Sequence, residues 1–273
     1  MTVKAALQQA LGAGLDRLDA ELLLAFCLVK SRTWLFTWPE HQLDADQYHH
    51  FQRLMKRRSA GEPVAYLTGT REFWSLPIRV NASTLIPRPD TETLVEAVLA
   101  RIPAKAAAVA DLGTGSGAIA LALAHERPQW QVTAIDREPE AIALARSNAA
   151  ALGLTIRIEQ GDWCEPLADN SQDAIVSNPP YIDAADPHLS EGDVRFEPRS
   201  ALVAAEQGME AIRRIAEQAP AVLRKSGWLF VEHGWRQGEA VRLLLSNSGY
   251  SDVETLNDLA GNDRITLGRR PAQ

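Results

Sequence analysis

The chain predicts an α/β fold behind a helical N-terminal part, on three observations. Apolar spacing over residues 2 to about 70 is helical. From Ile86 onward, short strand-like runs alternate with helical segments, which argues for a mostly parallel sheet with helices on both faces. A glycine-rich turn joins an early run to a helix, as in sheets that bind a ligand at their strand ends. The expected boundaries are 1–70 for a helical domain, 71–85 for a β-hairpin linker and 86–273 for the α/β domain.

The elements follow in order. Leu15, Leu18, Leu22, Leu23 and Phe26 form one helical apolar face, and Tyr48, Phe51, Leu54 and Met55 another. Gly61-Glu62-Pro63 ends the last long helix. Arg71 to Val80 reads as a hairpin with its turn near Leu76-Pro77. Leu94, Val95, Val98 and Leu99 read as the core face of a helix. Ala107 to Ala110 reads as a strand, and Asp111-Leu112-Gly113-Thr114-Gly115-Ser116-Gly117 as the turn into a helix at Ala118. The G-x-G-x-G spacing is neither the G-x-G-x-x-G of dinucleotide binders nor a phosphate loop, and no lysine stands in it. Val132 to Ile135 reads as the next strand, ended by Asp136. An acid some 20 positions past the glycine turn suits ribose hydroxyls, and Asp136 equally suits the cap of a helix beginning near Glu138-Pro139. After a strand at Thr155 to Ile158, Asp162-Trp163 fits either an adenine edge or a solvent-facing loop.

Ala174 to Ser177 reads as a buried strand leading into Asn178-Pro179-Pro180-Tyr181. Two prolines remove two N–H donors and hold the residues before them extended. An acceptor-rich corner remains, made of the Asn178 oxygen and backbone carbonyls beside an aromatic ring. It suits a planar –NH2 group, whose two N–H bonds need two acceptors. Three strands follow, Trp228 to Glu232, Val253 to Leu256 and Arg264 to Leu267. No long helix separates the last two, so they pair antiparallel.

Composition excludes several classes. The longest apolar run, Leu22 to Val29, falls far short of the roughly 20 residues of a membrane span. Met1 to Ala5 has no signal-peptide core, which sets the expectation of a soluble, cytoplasmic protein. Cys27 and Cys164 are isolated and the six histidines are unpaired in pattern, so neither a disulfide framework nor a metal is expected. The net charge is −7; residues 1–70 hold eight Lys/Arg and seven Asp/Glu, so the remainder carries 20 against 28. A duplex-DNA binder needs a basic footprint, and the one basic cluster, Arg53, Lys56, Arg57 and Arg58, fits the last turns of a helix. No direct DNA binding is expected.

The glycine turn, Asp136, Asp162-Trp163 and the Asn-Pro-Pro-Tyr corner together resemble a class I S-adenosylmethionine (SAM) methyltransferase acting on a planar nitrogen. With Ile86-Pro87-Arg88-Pro89-Asp90-Thr91-Glu92 and Asp193-Val194-Arg195-Phe196-Glu197-Pro198, the chain resembles over its whole length the PrmC/HemK family, which methylates a glutamine side chain in peptide chain release factors. The resemblance implies a Rossmann-like, seven-stranded sheet with a small helical bundle for partner recognition. It implies SAM as cofactor, held by Asp111, Gly113, Thr114, Gly115, Ser116, Gly117, Asp136, Asp162, Trp163 and Asn178. It implies Asn178, Pro179 and Tyr181 as catalytic residues, and Asn178, Pro179, Pro180 and Tyr181 as the substrate corner. The partner implied is a release factor with a Gly-Gly-Gln loop. Three other readings stand beside it: a ribosomal-protein glutamine methyltransferase, an amino-group DNA or RNA methyltransferase that flips its base, and a non-catalytic binding module. The acidic catalytic half and the Ile86–Glu92 segment favour the release-factor reading.

Overall fold

A computed structural model describes residues 1–271. Contacts divide the chain into two compact units, Met1–Thr70 with Ser190–Phe196, and Arg71–Leu189 with the chain from Glu197 onward.

The first unit holds α1 (Val3–Gly12), α2 (Arg17–Leu28), α3 (Arg32–Thr37), α4 (Ala45–Ser59) and α5 (Val64–Thr68). Capping fixes where they start. Thr2 Oγ1 accepts from Ala5 N, and Asp44 and Gln47 form a reciprocal capping box at α4. The core joins Val3, Ala6 and Ala10 of α1 to Leu23 and Leu24 of α2 and Phe51, Leu54 and Met55 of α4. The expected α4 face is buried except for Tyr48, which packs at its edge. The expected α2 face is partly wrong: Leu18 is 50% and Phe26 40% exposed, and the buried stripe runs through Ala20, Leu23, Leu24 and Leu28 instead. Half of the basic cluster is engaged within this unit, Arg57 with Glu62 and Arg58 with both Asp19 (2.6 Å) and Asp193 (2.8 Å).

A hairpin opens the second part, β1 (Thr70–Phe73) and β2 (Leu76–Arg79). Its turn lies at Trp74-Ser75, both left-handed (φ 53° and 59°), and not at Leu76-Pro77, which belong to β2. Two positive-φ residues make the two-residue turn whose twist matches a hairpin. Trp74 is held there by Glu92, which accepts from its backbone N–H, and Glu126, which accepts from its indole.

The sheet alternates with helices as α6 (Glu92–Arg101), β3 (Ala108–Leu112), α7 (Ala118–Glu126), β4 (Gln131–Asp136), α8 (Pro139–Leu152), β5 (Arg157–Gln160), β6 (Gln172–Ser177), the short left-handed turn α9 (Ala205–Gly208), α10 (Glu210–Val222), β7 (Leu223–Glu232), α11 (Gly238–Asn247), β8 (Ser251–Asn257) and β9 (Asp263–Arg269). The strand order is β5-β4-β3-β6-β7-β9-β8, with β9 antiparallel to both neighbours and the other pairs parallel. This is the class I methyltransferase sheet, including the antiparallel final pair. One buried cluster joins Ala110, Leu112, Ile175, Leu229 and Val231 of the strands to Ile212, Ile215 and Ala216 of α10 and Val241 and Leu245 of α11. Strand order reverses between β3 and β6, and at that switch point ligands bind beyond the carboxyl ends.

Candidate active site

The switch point is built from paired strand ends. Leu112 of β3 lies in register with Ser177 of β6 and with Ile135 of β4. Buried Ser177 donates its hydroxyl to Leu112 O at 2.7 Å, stitching the two ends together. The glycine turn therefore leaves β3 at the level where Asp136 ends β4 and Asn178 follows β6.

Gly113, Gly115 and Gly117 all have left-handed φ (69°, 56° and 84°), which costs glycine nothing. A Cβ on Gly113 would stand 3.3 Å from the Trp163 ring, and one on Gly117 3.2 Å from Ala145 Cβ. Asp111 supports the turn from beneath. Its Oδ2 accepts from Thr114 Oγ1 (2.6 Å) and from Ala120 N (3.2 Å), one of the unpaired N–H groups that open α7. Burial pushes the Asp111 carboxyl up to about 7, against the pull of those two hydrogen bonds. Asp136 closes the turn from the side, accepting from Gly115 N (2.8 Å) and Glu138 N (3.0 Å). It is not the cap of α8, which begins after Glu138. Burial also raises the Asp136 carboxyl above its usual range.

These residues border an open cavity of about 970 Å³. Of the expected cofactor residues, Gly113, Thr114, Gly115, Ser116, Asp136, Asp162, Trp163 and Asn178 line it, as does Pro180 of the substrate corner. Asp111, Gly117, Pro179 and Tyr181 lie behind the lining. Asp111 is wholly buried and Gly117 is occupied in packing α7 on α8. Asp162 reaches the cavity while ion-paired to Arg214 of α10. Trp163 has a left-handed backbone (φ 53°), rare for a bulky residue, which turns its ring against the glycine turn, and its buried Nε1 has no partner. A bare-backbone turn, a carboxylate at a strand end and a half-buried aromatic with an unmet donor fit a nucleoside bearing an amino acid.

The Asn178 corner is braced from several elements. Asn178 Nδ2 donates to Thr91 Oγ1 at 3.1 Å, which leaves Oδ1 as the acceptor. Gln237 donates to Tyr181 O (3.1 Å), and Gly208 lacks a Cβ that would otherwise fall 2.0 Å from that oxygen. Ile182 and the 202–204 segment exchange backbone hydrogen bonds. Arg88 and the buried Glu197 pair at 2.7 Å, joining the two segments on which the family resemblance rests.

Sequence reasoning assigned no role to Thr91, Glu232 or Arg264, which form the wall behind the corner. Tyr181 donates its hydroxyl to Glu232 Oε1 at 3.3 Å, and Arg264 pairs with Asp258 (3.0 Å) and Asp90 (3.6 Å). A signal was available for Glu232. It is a polar residue at the carboxyl end of an apolar strand, as Asp136 is, and such ends are where sites form.

Comparison with known proteins agrees with this fold. A family model described as the PrmC N-terminal domain matches residues 2–69, and one described as the methyltransferase small domain matches 89–191. Two solved structures share the fold: a methyltransferase from Pyrococcus furiosus (TM-score 0.55, 18% identity, 72% of this chain and 89% of that one) and a ribosomal protein L11 methylase from Lactobacillus delbrueckii subsp. bulgaricus (TM-score 0.51, 21% identity, 67% and 80%). Much nearer in sequence are proteins named release factor glutamine methyltransferase. The one from Salmonella typhimurium is 56% identical over 93% of this chain and 92% of its own length. That from Escherichia coli is 52% identical over 98% and 97%. Identity at this level spans both the helical unit and the Asn-Pro-Pro-Tyr half, and the chain belongs to the release factor glutamine methyltransferase family.

Proposed function

We propose that this chain methylates the side-chain amide nitrogen of the glutamine in the Gly-Gly-Gln loop of peptide chain release factors, with SAM as donor, in the cytoplasm where translation ends. The observation that carries it is the Asn178 carboxamide, tied by its nitrogen to Thr91 so that an oxygen is left at the cavity edge. When bound, SAM supplies an activated methyl group on a positively charged sulfur, so no Lewis acid is required of the protein.

The glycine turn and Trp163 would hold the cofactor, and Asp136 would take its ribose hydroxyls. The difficulty lies with the acceptor, because an amide lone pair is delocalised into its carbonyl. Asn178 Oδ1 and the Pro179 carbonyl each accept one N–H of the glutamine amide and aim its lone pair into the cavity. As that nitrogen gains positive character, both hydrogen bonds strengthen, so they stabilise the transition state more than the ground state. The Tyr181 ring, pinned through its hydroxyl and its carbonyl, sets the plane of the amide. The surplus proton of the methylated nitrogen leaves to water.

The test is methyl transfer from labelled SAM to purified release factor, ribosomal proteins and DNA, assayed side by side. Label is expected on the release factor, mapped by mass spectrometry to the glutamine of its Gly-Gly-Gln loop. Label on ribosomal protein or DNA instead would overturn the assignment.

A further inference from the structure

The cavity lining follows the order of the strands. Asp162 and Trp163 come after β5, Asp136 ends β4, the glycine turn leaves β3, and Asn178 follows β6. The charged side chains along it are Asp136, Glu138 and Asp162, with two cations, Arg88 and Arg137. The cations stand at different places. Arg137 adjoins Asp136 and pairs with Glu138 (3.2 Å), on the β4 side. Arg88 belongs to the Asn178 side. Its carbonyl accepts from Thr91 N at 3.1 Å, and Thr91 Oγ1 accepts from Asn178 Nδ2.

Arg88 is braced from outside the cavity. Its Nη2 donates to Glu197 Oε2 at 2.7 Å, and Ile86 N donates to Glu197 Oε1 at 3.4 Å. The Glu197 side chain is wholly buried, whereas that of Arg88 is 34% exposed. A guanidinium presents several N–H donors in a rigid planar fork. One goes to Glu197, and the remaining donors suit a second carboxylate.

The donor supplies one. In SAM the amino-acid arm is bonded to the same sulfur as the transferred methyl group. A methyl aimed at a nitrogen held by Asn178 brings the sulfur to the Asn178 end, and the α-carboxylate lies only a few bonds from that sulfur. Charge balance points the same way. A lone guanidinium at this end would repel the sulfonium, but one already matched by Glu197 offers directed donors with little net charge.

We propose that Arg88, held by Glu197, binds the α-carboxylate of SAM. The pair thereby distinguishes a nucleoside that carries an amino acid from one that does not. This rests on SAM as the donor, as read under Proposed function, and deepens that reading by naming the residue for its amino-acid arm. Glu197 is the positioning residue, because it touches only Arg88 and the backbone of its segment.

The experiment is calorimetric titration with four ligands: SAM, S-adenosylhomocysteine, decarboxylated SAM and methylthioadenosine. The first two carry the carboxylate and the last two lack it. The proteins are the wild type, Arg88→Met and the double variant Arg88→Met/Glu197→Gln, each with its melting temperature. Wild type should bind SAM about 10- to 100-fold more tightly than decarboxylated SAM, the scale of hydrogen bonds between charged groups. The double variant should lose about that factor for SAM and S-adenosylhomocysteine. Its affinity for decarboxylated SAM and methylthioadenosine should stay within about twofold of wild type. Arg88→Met alone strands a buried carboxylate and should melt lower; the double variant removes both charges and decides if the single one fails to fold. A wild type that binds SAM and decarboxylated SAM alike overturns the assignment whatever the variants do. So do equal losses for all four ligands, which would make the pair a support of the cavity wall. Unchanged SAM affinity with a raised KM for release factor would make Arg88 a contact of the acceptor, and overturns it too. The two readings fail separately. A wild type that shows the carboxylate preference but labels no release factor sinks the proposed acceptor and leaves Arg88 in place. A wild type that labels release factor without that preference sinks only the role of Arg88.

Discussion

Asp136 shows how one side chain shapes a loop and lines a cavity together. Two of its lone pairs are engaged by Gly115 N and Glu138 N, which fixes the carboxylate at the cavity wall with capacity left over. Asp136→Ala should weaken SAM binding by about 1.5–3 kcal/mol, the scale of a hydrogen bond to a charged group. Calorimetry that finds the affinity unchanged removes the ribose role. Asn178→Ala should cost on the order of 10²–10³ in turnover while SAM affinity and melting temperature stay near wild type; an equal loss in SAM affinity would make Asn178 a cofactor residue first. Tyr181→Phe keeps the ring and deletes one of the donors that hold Glu232 ionised. The variant should keep most of the wild-type turnover, and Tyr181→Ala should lose far more, because the ring and not the hydroxyl sets the amide plane. A Tyr181→Phe variant as slow as Tyr181→Ala would give the hydroxyl a direct role instead.

At the scale of elements, the strand ends were legible and the walls behind them were not. Gly113, Gly115 and Gly117 announce a turn that only glycine enters without strain, and Asn178-Pro179-Pro180-Tyr181 announces an extended corner. Each signal is local, carried by backbone rules that operate within a few residues. The pairing of Asp162 with Arg214 and of Asn178 with Thr91 spans 52 and 87 positions, and no local rule connects them. The hairpin turn was misplaced because Trp74 and Ser75 bear none of the usual marks of a left-handed turn, whereas Leu76-Pro77 bears one. Helical spacing locates the apolar face of α2 but not its width, so Leu18 and Phe26 belong to the expected face without joining the core. The α7–α8 contact offers a test of the packing argument. Gly117 has a φ of 84°, and a Cβ there meets Ala145 Cβ at 3.2 Å and Leu121 Cδ1 at 3.3 Å. Gly117→Ala adds left-handed strain of roughly 1–2 kcal/mol to crowding of about 1–3 kcal/mol. A loss of about 2–5 kcal/mol in urea unfolding is expected from the two together. A variant as stable as wild type would mean that α8 can shift away freely.

At the scale of the whole molecule, the weak nucleophile dictates what the rest of the chain has to do. A free glutamine brings no contacts remote from its amide, so nothing offsets the loss of freedom on ordering it in the corner. A short peptide with the same loop brings a few, and a folded release factor brings a surface. The specificity constant should therefore rise steeply in that order. We assign part of the remote surface to the helical unit. That unit includes residues 190–196, tied to it by Arg58 with Asp193 and by Arg195 with Ala60 O, so deleting residues 1–70 also releases a segment of the catalytic half of the sequence. A chain beginning near Phe73 should still bind SAM, because every residue lining the cavity lies from Phe73 onward. It should lose most of its activity on the intact factor and much less on the peptide. The full-length variant Asp193→Ala separates the two effects of the deletion, since it removes the Arg58 contact of residues 190–196 and leaves the Arg58–Asp19 pair within the helices. If Asp193→Ala alone reproduces the loss on intact factor, the released segment and not the helical surface reads the partner. If both constructs lose equally on factor and peptide, the helical unit supports the fold and contributes nothing to recognition.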